Sequence, residues 1–472
     1  MPGRALSSCA SSTATGAAER YPITYNSRAP ALPGVFRTDR PSPLNAPDTV
    51  VPVRRAAVIF IFVTVVLDML AFGLIIPVLP HLVQAMVGGD IAVATQWTGL
   101  FGALFGLMQF VFSPIQGALS DRFGRRPVIL ASNLGLGLDF IVMALAQTLP
   151  VLFIGRLVSG ITAASFTTAN AYIADVTPRE KRAAAFGLLG AAFGIGFVIG
   201  PALGGFLGGI SPRLPFWVAG ALALANFVYG WLILPESLPP ERRTPRFDLK
   251  GANPLGALRM LRRYPHALGL VVVIFLTQFA QFSLNSTFVL FADYRFQWGP
   301  QEVGYTLALV GLCSGIVQAG LVGRLVRRFG ERRLMLSGLA FGIAGFLLFG
   351  LGATPLVFLA GIPLLALAGL GGPPAQAILT QQVDPHEQGR LQGAISGLAG
   401  LATIFGPFLF TQVFATFIGP QANLHLPGAA FVLSAALLAA GLLLGWRVTA
   451  RFARIPATDA APPPVAEPGP PG

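Results

Sequence analysis

Residues 117 to 127 read Gly117-Ala118-Leu119-Ser120-Asp121-Arg122-Phe123-Gly124-Arg125-Arg126-Pro127, a charged corner between two long apolar runs at 97–119 and 128–148. Each run has the roughly 20 residues that an α-helix needs to cross a hydrocarbon core of about 30 Å. The corner therefore reads as a loop at a membrane surface. Outward from it the pattern repeats. Further apolar runs lie at 56–82, 150–174, 183–208, 215–234, 267–292, 303–323, 334–353, 355–382, 391–417 and 428–446, twelve in all. Of the 472 residues, 54% are hydrophobic and only 11% charged, against about 25% charged in soluble domains. Water cannot be the main solvent of such a surface, whereas lipid can. The mean hydropathy of +0.69 agrees. The expected fold is an all-α polytopic membrane protein of twelve transmembrane helices.

The charges are lopsided, with 32 Lys and Arg against 19 Asp and Glu, a net of +13. A nucleic-acid surface would gather them on one polar face; here they sit in short clusters between apolar runs. All but three of the 32 fall on the segments that share a side with the termini. Arg213 and Arg295 lie opposite, and Arg156 lies within a run. This bias predicts both tails in the cytoplasm. Cys9 and Cys313 have no metal spacing and form no disulfide framework. His81, His266, His386 and His425 are scattered toward run ends and pair with no carboxylate at a ligand spacing. An enzyme and a metal site are excluded, and no stretch is long enough for the signalling domain of a receptor. The implied partner is a lipid bilayer and not nucleic acid, and the half-bundles suffice for a monomer.

Residues 1–55 are rich in Ser, Ala, Pro and Arg with no signal-peptide core. They read as a disordered cytoplasmic tail, or as sequence upstream of the true start. The polar segment 235–266 separates six runs (56–234) from six (267–446), and its Leu/Arg pattern from Leu255 to Arg263 fits an interfacial helix. The Pro/Ala-rich end, 447–472, reads as a second disordered tail. The halves are copies. A shift of 206 residues carries Gly117, Leu119, Arg122, Phe123, Gly124 and Arg126 onto Gly323, Leu325, Arg328, Phe329, Gly330 and Arg332, and Gly187, Gly200 and Pro201 onto Gly393, Gly406 and Pro407. Two six-helix bundles related by a parallel repeat place a substrate cavity between them, opened alternately to each side by rocking.

The run from Gly117 to Pro127 resembles the loop signature of the major facilitator superfamily between its second and third helices. Gly155-Arg156-Leu157-Val158-Ser159-Gly160-Ile161-Thr162-Ala163-Ala164 is similar to the family's fourth span. Gly194-Ile195-Gly196 with Gly200-Pro201-Ala202-Leu203-Gly204-Gly205 resembles its antiporter motif. Leu67-Asp68-Met69, Gly73-Leu74-Ile75-Ile76-Pro77-Val78-Leu79-Pro80 and Leu107-Met108-Gln109 are similar to bacterial tetracycline/proton antiporters. The resemblance covers 56–446 and is denser in the first half. It implies proton-driven export of a drug-like small molecule across a bacterial inner membrane, with protons as the coupled partner and no cofactor, and with Gly194, Gly200, Pro201, Gly204 and Gly205 as the antiporter motif. Two departures matter: the run 334–352 holds no counterpart of those antiporters' acidic residue in span nine, and Ser314 stands where their eighth span has a histidine. Export follows from the resemblance; tetracycline as the substrate does not.

Independent of family, Gly117 permits close helix approach and Gly124 a tight turn, while Asp121 sits among Arg122, Arg125 and Arg126. Such a cluster can latch one bundle to the other in one conformational state and release in the other. Setting topology would explain the arginines but neither Asp121 nor the glycines. In the second copy Arg327 replaces Asp121, so any latch is asymmetric.

Three ionisable residues lie deep in the runs: Asp68, Asp139 and Arg156. A charge there costs at least about 2.5 kcal/mol, so each is a functional candidate. At 1.5 Å per residue all three fall roughly 17–20 Å from the cytoplasmic surface. The sequence therefore suggests Asp68 beside Arg156, with Asp68 carrying the proton, Arg156 competing with a cationic or chelated substrate, and Asp139 a further coupling candidate. A static ion pair is the alternative reading. The uncharged candidates for a substrate site are Gln109, Asn170, Gln278, Gln281, Asn285, Gln318 and Gln376, of which Gln278, Gln281 and Asn285 share a helix face; inter-helix bonding explains any one of them equally well. Helix breaks are expected at Pro77 and Pro80, at Pro114, and at Gly371-Gly372-Pro373-Pro374. A proton-driven importer is the rival function.

Overall fold

The computed structural model describes residues 55–163, 165–178, 181–244, 264–419 and 424–450. Both tails, most of the polar segment with the proposed helix from Leu255 to Arg263, and Ala164 lie outside the described residues. The described chain is helical throughout. Its first six spans are α1 (Ile59–Met86), α2 (Ile91–Phe123), α3 (Arg125–Leu145), α4 (Leu149–Val176), α5 (Ala184–Ile210) and α6 (Leu214–Ile233). Six more follow: α7 (Ala267–Phe296), α8 (Pro300–Phe329), α9 (Glu331–Leu351), α10 (Pro355–Thr380), α11 (Gln388–Ile418) and α12 (Ala429–Thr449). Long apolar runs become helices because a membrane leaves backbone groups no partner outside the helix.

Ends are set locally. Asp90 caps α2 by accepting from Val93 N at 3.0 Å, and prolines open α4, α6, α8 and α10, where the missing N–H costs nothing. The corners between α2 and α3 and between α8 and α9 are single glycines, Gly124 at φ +105° and Gly330 at φ +78°. These angles are open to glycine and strained for other residues, and the two positions are superposed by the 206-residue shift.

Some helices break where the sequence suggested and others do not. α1 is interrupted at 76–78 beside Pro77, and α10 passes through a tight turn at Gly369–Gly371. Pro114 leaves α2 unbroken, because neighbouring helices supply the packing that holds a proline within a span. α4 breaks after Thr162, and Val317–Leu321 of α8 widens to a π turn; proline spacing signalled neither.

Contacts between the halves run along α2 against α11 and α5 against α8. A methyl group built on Gly205 would lie 2.8 Å from Gly304 Cα, one on Gly102 2.8 Å from Pro407 Cβ, and one on Gly311 2.7 Å from Val198 Cγ2. All belong to the half of the membrane away from the start of α1. In the other half Gly117, Gly187, Gly190, Gly194, Gly315, Gly320, Gly323, Gly389 and Gly393 would meet nothing within 4 Å. The bundles therefore touch at one face and part toward the face where α1 begins and α12 ends. In the second bundle Phe349 and Phe358 stack with ring centres 4.0 Å apart, and Phe431 meets Phe291 edge-on at 5.0 Å, stiffening its closed end.

Candidate functional site

The antiporter-motif glycines lie on two faces of α5. Gly196, Gly200 and Gly204 recur every fourth residue and bring α5 onto the α1 backbone: a methyl group on Gly200 would sit 2.7 Å from Gly73 Cα, and one on Gly204 would strike the Leu74 carbonyl. Gly205 turns instead toward Gly304 of α8, whose own methyl group would also meet the Pro201 backbone oxygen at 2.5 Å, while the Pro201 ring stays against Gly73 of α1. Gly194 packs against nothing and lies in the open half.

This packing presents α1 to α5 and α6, and decides the partner of Asp68. The buried Asp68 carboxylate accepts from the Asn226 side-chain amide at 2.9 Å, and the same amide reaches the Thr64 carbonyl at 3.2 Å. The expected pairing of Asp68 with Arg156 is not made. Arg156 is on α4, which packs on α2 and α3, so its guanidinium lies 4.6 Å over the Phe105 ring, with its Nε buried and without a hydrogen-bond partner. Arg156 and Asp139 interact through their charges without closing to an ion pair. Asp139 takes a hydrogen bond from the Ser159 hydroxyl, and its other oxygen is buried and unpartnered. Asp139 thus faces α4 rather than the bundle periphery. Gly137 abuts Leu224, so by rise per residue Asn226 and Asp139 differ by only about 6 Å in depth.

Two acidic centres result, both in the first bundle and both at the level where the halves begin to separate. Asn226 and Ser159 were missed from sequence. Asn226 had a signal, as the one amide in α6; Ser159 had none.

The second bundle supplies amides. Gln278, Gln281 and Asn285 are exposed on one face of α7. Gln278 and Gln376 line a cavity of about 250 Å³ with Thr277, Met335 and Leu339. Gln318 lies in the π turn of α8, its amide near Gly369. Gln109 and Asn170 are half-buried in the first bundle and do not join this group.

The corner around Asp121 is dense. Arg125 pairs with Asp121 at 2.5 Å and Asp175 at 3.1 Å, and donates to Ser120 Oγ at 2.6 Å. Glu236, just after α6, accepts from the backbone N–H of Arg125 at 2.8 Å and of Arg126 at 3.3 Å, and so caps α3 with a carboxylate from another element. It also accepts from Ser237 N and Leu238 N, both at 3.0 Å. Arg126 donates to the Trp231 carbonyl at 2.7 Å, and Arg122 lies over Phe123. Among the described residues every partner is in the first bundle or in the start of the polar segment that follows it, where Thr244 N also donates to the Asp121 carbonyl at 3.1 Å, so the expected tie between bundles is not made in this conformation, and Gly117 has no close neighbour. Glu236→Ala should lower stability by about 1–3 kcal/mol by orphaning these amides; thermal unfolding in detergent measures it.

The second copy inverts the charges. Glu331 and Gln381 stand where Arg125 and Asp175 stand in the first, and Gln381 donates to Glu331 at 3.5 Å. Nearby, Tyr264 donates to Asp384 and Glu387, each at 2.9 Å. Those bonds, Glu387 first, push the phenol up to about 12, so this tie persists below the ordinary tyrosine value and fails as pH rises through about 12.

Two six-helix bundles in contact at one face and parted at the other, with acids buried where they separate, define a secondary transporter of the alternating-access kind. The Major Facilitator Superfamily model matches residues 61–372 and again 295–469, and the chain belongs to that family. It is 39% identical to the class C tetracycline resistance protein of Escherichia coli, over 76% of this chain and 90% of that one. It is likewise 39% identical to the class G protein of Vibrio anguillarum, over 77% and 92%. Among solved structures, the human organic anion transporter MFSD10 is 26% identical with a TM-score of 0.62, covering 83% of this chain and 99% of its own. The nucleoside transporter NupG, at 14% identity and a TM-score of 0.67, shares the fold.

Proposed function

We propose that this chain exports a drug-like small molecule from the bacterial cytoplasm across the inner membrane in exchange for protons, as a monomer with both termini cytoplasmic. The observation that carries the reading is Asp68: a buried carboxylate, near the apex of the opening, whose partner is a neutral amide. Such a group takes up and gives back a proton without breaking an ion pair. In the proposed orientation the parted face is cytoplasmic, so this is the state that loads cargo from inside the cell. Arg156, with its unpartnered Nε and its proximity to Asp139, is the group against which a cationic or chelated part of the cargo would compete for the carboxylate. Gln281 and Asn285 orient the uncharged part. The relatives named for tetracycline resistance, and the Bacillus subtilis relative named multidrug resistance protein 2 at 30% identity, support drug export over import.

Everted membrane vesicles test this. With an imposed proton gradient they should accumulate substrates drawn from a panel of antibiotics, whereas accumulation confined to right-side-out vesicles would make the protein an importer. Replacing both Gln281 and Asn285 with Ala should raise the half-saturating concentration about tenfold, at about 0.5–1.5 kcal/mol per lost hydrogen bond, with the maximal rate largely kept.

A further inference from the structure

The end of α8, Val322–Phe329, has two faces. Leu321, Val322, Leu325 and Val326 pack onto a core cluster of Val317, Leu334, Ala366 and Leu370. Arg324, Arg327 and Arg328 fall at i, i+3 and i+4 on the other face and are exposed, as is Arg333 beyond the corner. No carboxylate lies within 4.0 Å of any of them among the described residues, and the one nearby acid, Glu331, is engaged by Gln381. Arg324 bonds only the Gly320 carbonyl of its own helix, and Arg332 donates to Thr449 Oγ1 at 3.0 Å. The equivalent corner of the first copy encloses Asp121, Asp175 and Glu236; in the second, Arg327 stands in place of Asp121, Gln381 in place of Asp175 and Leu442 in place of Glu236. Phe329 is 47% exposed with Arg328 stacked 5.5 Å over its ring, which puts an apolar wedge beside the cationic face at the depth of the lipid interface.

We propose that this face binds the headgroup phosphates of anionic phospholipids in the adjoining leaflet, which neutralise three arginines that no carboxylate among the described residues meets. Three guanidiniums on one helical face offer charge-assisted hydrogen bonds that a phosphate accepts in pairs, and Phe329 enters the acyl boundary. This inference does not depend on which compound is exported.

The experiment uses the full-length protein in a neutral detergent, titrated with phosphatidylglycerol and read by thermal unfolding. The wild type should be stabilised by phosphatidylglycerol and not by phosphatidylcholine. At about 1 kcal/mol per basic residue near an anionic surface, the triple change R324Q/R327Q/R328Q should raise the half-maximal lipid concentration by on the order of 100-fold. R324K/R327K/R328K, which keeps the charge, should remain within a few-fold of wild type. E241Q/R242Q, on the polar segment, should leave the titration unchanged and controls for handling. Equal stabilisation of wild type and the glutamine triple, or an equal effect of phosphatidylcholine, overturns the proposal. So does saturation of the effect by inorganic phosphate, which would make the ligand a free anion.

Discussion

Asp68→Asn is expected to insert, fold and bind cargo, and to show no proton-driven accumulation in everted vesicles. Asparagine is isosteric, and its side-chain oxygen can still accept from Asn226, which now donates at 2.9 Å. What disappears is the titratable group. Downhill exchange of cargo between the two sides should persist at a rate comparable to wild type, because it needs the bundles to rock but needs no proton. Preserved uphill transport would remove Asp68 from the coupling step and leave Asp139 as the remaining buried acid of the pair of centres. Loss of both uphill transport and exchange would point to a structural role. Asp139→Asn in the same assay separates the two centres: if Asp139 fixes the α3 and α4 contact through Ser159, the variant loses stability and not coupling.

Gly204→Ala and Gly194→Ala should move stability in opposite directions. Both residues are mid-helix, where alanine is intrinsically favoured by about 0.5–1 kcal/mol. At Gly204 the new methyl group would strike the Leu74 backbone, with Leu74 Cα only 2.8 Å away. Neither helix can yield by turning a side chain, so α5 must move off α1, at a cost of about 1–3 kcal/mol. That movement would also disturb Asp68, which lies on α1 just before Met69, a neighbour of Gly196; transport should fall with stability. At Gly194 the methyl group meets open space, and the variant should be at least as stable as wild type. Thermal unfolding in detergent together with vesicle transport reads both effects, and equal behaviour at the two positions would contradict the glycine-ridge packing.

Much of this fold is legible in the sequence because lipid punishes exceptions. Charges are rare enough in the spans that Asp68, Asp139 and Arg156 stand out without a structure, and the 206-residue repeat locates two equivalent corners whose glycines both adopt positive φ. Partnership was not legible. Depth follows from counting residues, but azimuth depends on which neighbours a helix packs against, and Asp68 and Arg156 share a level while facing different helices. Asn226 could have been suspected as a lone amide in an apolar run. The breaks in α4 and α8 carry no proline at the site, and Pro114 is accommodated in α2, so proline placement is a poor guide to hinges where tertiary contacts can satisfy the backbone. The charge corner shows the same division: its composition suggested a switch, whereas its actual bonds, to Asp175 and to Glu236 after α6, required the fold.

Where Gly205 meets Gly304, the seam between the halves is a plain bearing rather than a gear. With bare backbone on both sides there are no teeth to disengage, so a roll of a few degrees trades few contacts and frees no rotamer. Reorientation meets little resistance at that point, and the resistance of the seam lies instead where the Pro407 ring seats against Gly102 and Val198 against Gly311.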